Sequence, residues 1–225
     1  KLQITCPDQS CYTYLISDRG AYDTFPLTAG NGSYALQVLE NVAGDTYTVS
    51  LAQSINVSIE DEFLPFLYPN QYVNFHTDSK AVSKGSDLAK DTYSDLDVVQ
   101  NIYNYVIKNI SYDTEKAQNV SYGYVPDIDD TLSSKKGICF DYAALMTSML
   151  RSQNIPTKLE VGYSGDAYHA WISTYIDDKG WVDDIIQFNG NTWEIMDPTL
   201  AATNDSAAVK KYVGDGSHYV VKYTY

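Results

Sequence analysis

The sequence predicts an α+β fold, with a strand-rich first third followed by helices and then an antiparallel sheet. Short segments with period-two alternation fill the chain before residue 60. Two stretches with apolar residues at helical spacing lie between residues 95 and 155, and strand-like segments follow from Lys158.

Cys11 to Ser17 is β-prone, and Thr28 to Ser33 is a cluster of turn residues. Tyr34 to Leu39 alternates apolar with polar. Ala43, Gly44 and Asp45 turn the chain. Thr46 to Ala52 alternates again with Tyr47, Val49 and Leu51 on one face, and Ile55, Val57 and Ile59 continue the period. Strands at this spacing suggest a small all-β domain over residues 1–78. Glu60 to Tyr72 carries Phe63, Leu64, Phe66, Leu67 and Pro69, so it reads as a packed connection. His76 to Lys84 is polar and marks the boundary, leaving residues 79–225 as the second domain.

Ser94 with Asp97 fits a capping box, and Val98, Val99, Ile102, Val106 and Ile110 follow at helical spacing. This predicts a helix from Asp95 to Asn109. Residues 113–134 read as a loop, long enough to act as a lid. Its Asp127, Asp129 and Asp130 could hold Ca²⁺, but they lack the EF-hand pattern and suit a solvated loop better. A second helix starts between Gly137 and Cys139, with Ile138, Tyr142, Leu145, Met149 and Leu150 on one stripe, and ends at Ile155-Pro156. Strands are expected at Lys158 to Tyr163, Ala170 to Tyr175, Trp181 to Phe188, Thr192 to Met196 and His218 to Tyr225. Asp177 to Gly180 forms a hairpin turn.

Composition excludes some functions. The 225 residues carry 29 acidic against 15 basic side chains, a net charge of −14. Phosphate binding needs clustered Lys and Arg, so nucleic acid is not an expected partner, and neither is an anionic membrane surface. No apolar run is long enough to span a membrane. The chain begins at Lys1, as expected after signal removal or after excision from a longer protein. Five N-x-S sequons, at Asn31, Asn56, Asn109, Asn119 and Asn204, are expected by chance in a chain rich in Asn and Ser.

There are three cysteines. Cys6 and Cys11 flank a Pro-Asp-Gln-Ser turn, either as a disulfide across a hairpin or as two unrelated small residues. Cys139 is left over. It opens the second predicted helix, where the helix dipole and unpaired N–H groups favour thiolate, the nucleophile of acyl transfer. His169, in Tyr-His-Ala-Trp, opens a strand expected to pack on that helix and could act as base and acid. Asp197, between Met196 and Pro198, ends a later strand and could orient the imidazole. Each residue alone has a commoner role: a buried small thiol, a structural histidine, a turn aspartate. The ordered set is harder to obtain by chance.

Three segments together resemble the transglutaminase-like superfamily: KKGICFDYAALMTSMLRSQNIPTKLEVGY, YHAWISTYIDDKGW and WEIMDPT. The resemblance covers residues 95–200 and implies a papain-like core of helices packed on an antiparallel sheet. By that resemblance Cys139 is the nucleophile, His169 the base and acid, and Asp197 the orienting carboxylate. It implies a protein or peptide substrate, with cell-wall peptide one candidate, and no cofactor or metal. Hydrolysis, as in a cysteine peptidase or amidase, is the expected outcome. Glutamine transamidation by the same triad and a non-catalytic surface scaffold are the alternatives. Ile110 to Asp113 resembles the segment after the first core helix of bacterial members. Those members are commonly secreted or surface-anchored and often carry an added β domain, which implies a secreted or cell-surface location. Papain-like enzymes add a side-chain donor to the oxyanion hole, and Tyr112, Tyr122 and Tyr124 are its candidates here.

Overall fold

Lys1–Pro65 forms one unit and Phe66–Tyr225 another. The computed structural model describes residues 1–16, 20–177, 179–183, 186–188, 193–195, 199 and 218–225.

The first unit is built on strands β1 (Leu2–Thr5), β2 (Cys11–Tyr14), β3 (Gly32–Ala43) and β4 (Thr46–Val57). They form one antiparallel sheet in the order β2-β1-β3-β4. The alternating segments before and after Gln53 are one strand, β4, because its pairing with β3 runs from Thr46 to Val57. Gly44, at φ 53°, takes the left-handed conformation in the turn between them. Ile4, Tyr14 and Tyr34 are buried. The Tyr14 ring packs 4.6 Å from Phe25, and the Tyr34 hydroxyl donates to the Gly30 carbonyl, so the segment from Gly20 to Asn31 lies against this sheet.

Both cysteines of this unit are free thiols. Cys11 pairs in register with Thr5, and Cys6 follows Thr5. Successive residues of an extended chain point to opposite sides, so Cys6 is buried while Cys11 is exposed. Burial pushes the Cys6 thiol pKa up.

The second unit carries α1 (Lys80–Leu88), α2 (Asp95–Asn109), β5 (Ser111–Tyr112), α3 (Thr114–Asn119), α4 (Ile128–Ser134), β6 (Lys136–Gly137) and α5 (Cys139–Arg151). Strands β7 (Thr157–Ser164), β8 (Ala167–Ile176), β9 (Gly180–Val182) and β12 (Tyr219–Thr224) make an antiparallel sheet in the order β12-β7-β8-β9. Short β10 (Ile186–Phe188) pairs with β11 (Trp193–Ile195). Helix α5 packs on β7 and β8 and is flanked by α1, α2 and α4. Every residue from Asp141 to Arg151 is buried, so α5 is the core of this unit. The fold is α+β, with helices packed on a sheet, preceded in the chain by an all-β region.

Helix α2 spans Asp95–Asn109, as its capping signal predicts. Ser94 Oγ accepts the Asp97 N–H, and the Asp97 carboxylate accepts the Tyr93 N–H. Helix α1 begins inside the polar stretch from His76 to Lys84. Its buried residues are Ala81 and Gly85, so it has no large apolar stripe to read. Gly85 lets α1 approach α5 closely: an added Cβ would lie 3.1 Å from the Met149 carbonyl. The expected loop over residues 113–134 contains α3 and α4. Both are short, and α3 buries none of its residues, so neither has a helical apolar period. The strand expected from Trp181 to Phe188 is two pieces, β9 on β8 and β10 on β11.

Candidate active site

Cys139 is the first residue of α5 and is half-buried. The first intrahelical bond runs from the Tyr142 N–H to the Ile138 carbonyl. The N–H groups of Cys139, Phe140 and Asp141 precede it, and with the helix dipole they favour negative charge at this end. The Tyr142 hydroxyl donates to the Ile110 carbonyl at 2.7 Å and ties this end to α2.

The peptide joining Gly137 to Ile138 is held on both sides. Its carbonyl accepts from the Asp113 N–H at 2.9 Å. Its N–H, on Ile138, donates to Asp141 Oδ2, also at 2.9 Å. The parallel pairing of β5 with β6 sets Tyr112 beside Gly137. Only glycine fits here, because an added Cβ would stand 2.7 Å from the Asp141 Cβ.

Asp141 is fully buried. Lys116 Nζ donates to its Oδ2 at 2.7 Å, and the Tyr124 hydroxyl donates to its Oδ1 at 2.5 Å. Lys116 Nζ also donates to the Tyr124 oxygen at 2.6 Å. Burial, and then the adjacent carboxylate, push the Tyr124 phenol above the usual tyrosine range. The single proton of Tyr124 is committed to Asp141, so this candidate for the oxyanion hole already has a partner. Tyr122 is exposed, and Tyr112 is half-buried next to Gly137.

His169 lies on β8 and is buried. It pairs in register with Gly162 of β7. An added Cβ at Gly162 would overlap the Val220 carbonyl of β12, so glycine permits the irregular pairing there. On the His169 side of the sheet, Trp171 stacks on the imidazole with centroids 6.1 Å apart, and Tyr219 packs edge-on against Trp171 at 4.8 Å. Glu160, opposite Trp171, is buried and accepts from the Ser173 hydroxyl at 2.6 Å. Burial raises the Glu160 pKa. Tyr168, next to His169, has its phenol pushed up to about 12 by burial first, then by Tyr223, Tyr163, Tyr72 and Cys139. Asp197 lies outside the described residues.

Two of the acidic residues of the expected loop, Asp127 and Asp129, serve as caps. Asp127 accepts the N–H groups of Asp129 and Asp130 at the start of α4. Asp129 accepts those of Lys80 and Ala81 at the start of α1, at 3.1 and 2.9 Å. Lys116 and Asp141 are not among the residues that the sequence singles out. Asp141 sits at the third helical position, where a carboxylate caps a helix start, and that was a readable signal. Lys116 has none, because only the tertiary fold carries α3 to α5.

Residues 83–183 match the model of the Transglutaminase-like superfamily. The fold matches transglutaminase-like, papain-like architecture. The chain is 32% identical over 118 residues to the UPF0252 protein MJ1282 of Methanocaldococcus jannaschii, covering 45% of this chain and 34% of that one. It is 30% identical over 107 residues to the kyphoscoliosis peptidase of Mus musculus, covering 42% and 16%. The matched segments thus span about a third or less of these relatives. Among solved structures, the periplasmic domain of TgpA from Pseudomonas aeruginosa aligns with a TM-score of 0.46 at 15% identity, covering 80% of this chain and 72% of that one.

Proposed function

We propose that this chain catalyses thiol-dependent acyl transfer on peptide or amide bonds, with hydrolysis as the outcome. The Cys139 thiolate attacks the carbonyl carbon, and the carbonyl electron pair moves to oxygen as the C–S bond forms. Collapse breaks the C–N bond, and the His169 imidazolium gives its proton to the departing amine. Water then loses a proton to His169 and resolves the thioester, restoring the thiolate. Asp197 would orient the imidazole through the other ring nitrogen. The oxyanion would take the Cys139 N–H.

The observation that carries this reading is that the stretch matching the Transglutaminase-like superfamily includes both Cys139 and His169. The half-buried position of Cys139 at the first residue of α5 supports it, because a sealed thiol could not reach a substrate. The reading extends to a secreted or cell-surface location, supported by the resemblance of the motif segments to secreted bacterial members. Cell fractionation tests that part.

Incubation with casein and a fluorescent amine tests the chemistry. New amino termini that appear with wild type and fall by about 10³-fold or more with Cys139→Ala are expected. Amine incorporation in their place would make the reaction transamidation. Cleavage that survives Cys139→Ala would overturn the reading.

A further inference from the structure

We propose that Lys116 and Tyr124 are positioning residues for Cys139, acting through buried Asp141 on the peptide that precedes the thiol. The proposal rests on the reading of Cys139 as nucleophile.

The argument starts from that peptide. The bonds to Asp113 and Asp141 grip the carbonyl and the N–H of one peptide plane, the one joining Gly137 to Ile138. Its orientation sets the direction in which α5 begins, and so the position of Cys139 one residue on. Both grips trace back to α3. Asp113 caps that helix, its carboxylate accepting the Lys116 N–H at 2.9 Å. The Lys116 ammonium reaches across to Asp141. The chain therefore closes a ring through Gly137, Asp113, Lys116, Asp141 and Ile138. Tyr124 braces the ring by bonding both Lys116 and Asp141.

A capping carboxylate at a solvated helix start needs no such support, because water solvates it. Asp141 is sealed from water, and a buried carboxylate without a cation is costly. It also stands two residues from the thiol, where its negative charge opposes thiolate formation. Lys116 cancels that charge and Tyr124 fills the second oxygen. The cap then holds the backbone without suppressing the nucleophile. Other ionisable groups that bear on this end are Tyr168 of β8 and Asp127 and Asp130 at the start of α4, all unaltered in the variants below.

The test is the rate of iodoacetamide modification at Cys139 in the full chain, measured against pH and mapped by mass spectrometry. For Lys116→Met the rate at pH 7 should fall about tenfold and the midpoint of the rate–pH curve should rise by about one unit. Lys116→Arg should recover most of the loss, which a purely structural role would not require. Tyr124→Phe keeps the ion pair and should cost about threefold. If Lys116→Met does not fold, Tyr124→Phe and Lys116→Arg decide. Folded variants with the wild-type midpoint and rate would overturn the positioning role and leave the nucleophile reading standing. A wild-type Cys139 that reacts no faster than the thiol of a free peptide would overturn both.

Discussion

At the N-terminal end of α5 the buried ion is Asp141, met by the Lys116 ammonium and the Tyr124 phenol. At the C-terminal end it is Arg151, which donates from Nε to the Thr157 carbonyl, from Nη1 to Tyr68 and from Nη2 to Tyr225, at 2.7 to 2.9 Å. The first end joins ionisable side chains beside a half-buried thiol, with Lys116 itself still partly in water. The second joins one guanidinium to three backbone carbonyls, of which that of Tyr225 also accepts the Leu159 N–H. Burial pushes the Arg151 pKa down, yet three carbonyls in a fork suit guanidinium geometry and hold the ion. One helix is thus anchored twice: once by a network of ionisable side chains beside the candidate nucleophile, and once by a clasp that closes the core.

Substitutions at the two ends should separate these roles. Arg151→Met removes the guanidinium donor from the Thr157, Tyr68 and Tyr225 carbonyls, the last of which keeps the Leu159 N–H, and should cost about 2–6 kcal/mol in urea unfolding, at about 1–3 kcal/mol for each of the other two. Where the variant stays folded, Cys139 should keep its wild-type pH midpoint for alkylation. A shifted midpoint there would break the distinction between the ends. Lys116→Met should do the reverse. Its loss of stability should be smaller, on the order of 1–2 kcal/mol, since Lys116 is partly solvated, while Cys139 loses reactivity.

Glu160 sharpens the comparison as a buried carboxylate held by a hydroxyl. Its folded pKa is raised above the ordinary 4.5, so folding binds a proton there. The stability it contributes is full below that value and is lost as pH rises through the raised pKa. Glu160→Gln should therefore match wild type in acid and exceed it at neutral pH, by less than either effect above. Denaturation midpoints at two pH values read this, and a Gln variant less stable at neutral pH would contradict it.

Long elements with large apolar residues were legible in the sequence. The stripe of Val98, Val99, Ile102 and Val106 and the Ser94 cap predict α2 with its ends, and the α5 stripe is buried throughout. Helix α1 was not legible, since it packs through Ala81 and Gly85, which carry almost no apolar signal. Helices α3 and α4 escaped because they are short and held by Asp113 and Asp127 caps more than by burial. In the site, Cys139 and His169 stood out by residue type and neighbours. Tyr124 reads in the sequence as one of three oxyanion-hole candidates, and nothing local tells that its proton goes to Asp141.

The sequence by itself determined the α+β class, the long elements α2 and α5 and the candidate nucleophile at a helix start. Those depend on period, capping and residue type, all carried within a few residues. Tertiary structure alone decided that Lys116 meets Asp141, that Cys6 and Cys11 point apart, and that Arg151 closes on Tyr68 and Tyr225. Each joins or separates groups by the path of the folded chain, and a buried charge has a fixed partner only once that path has excluded water.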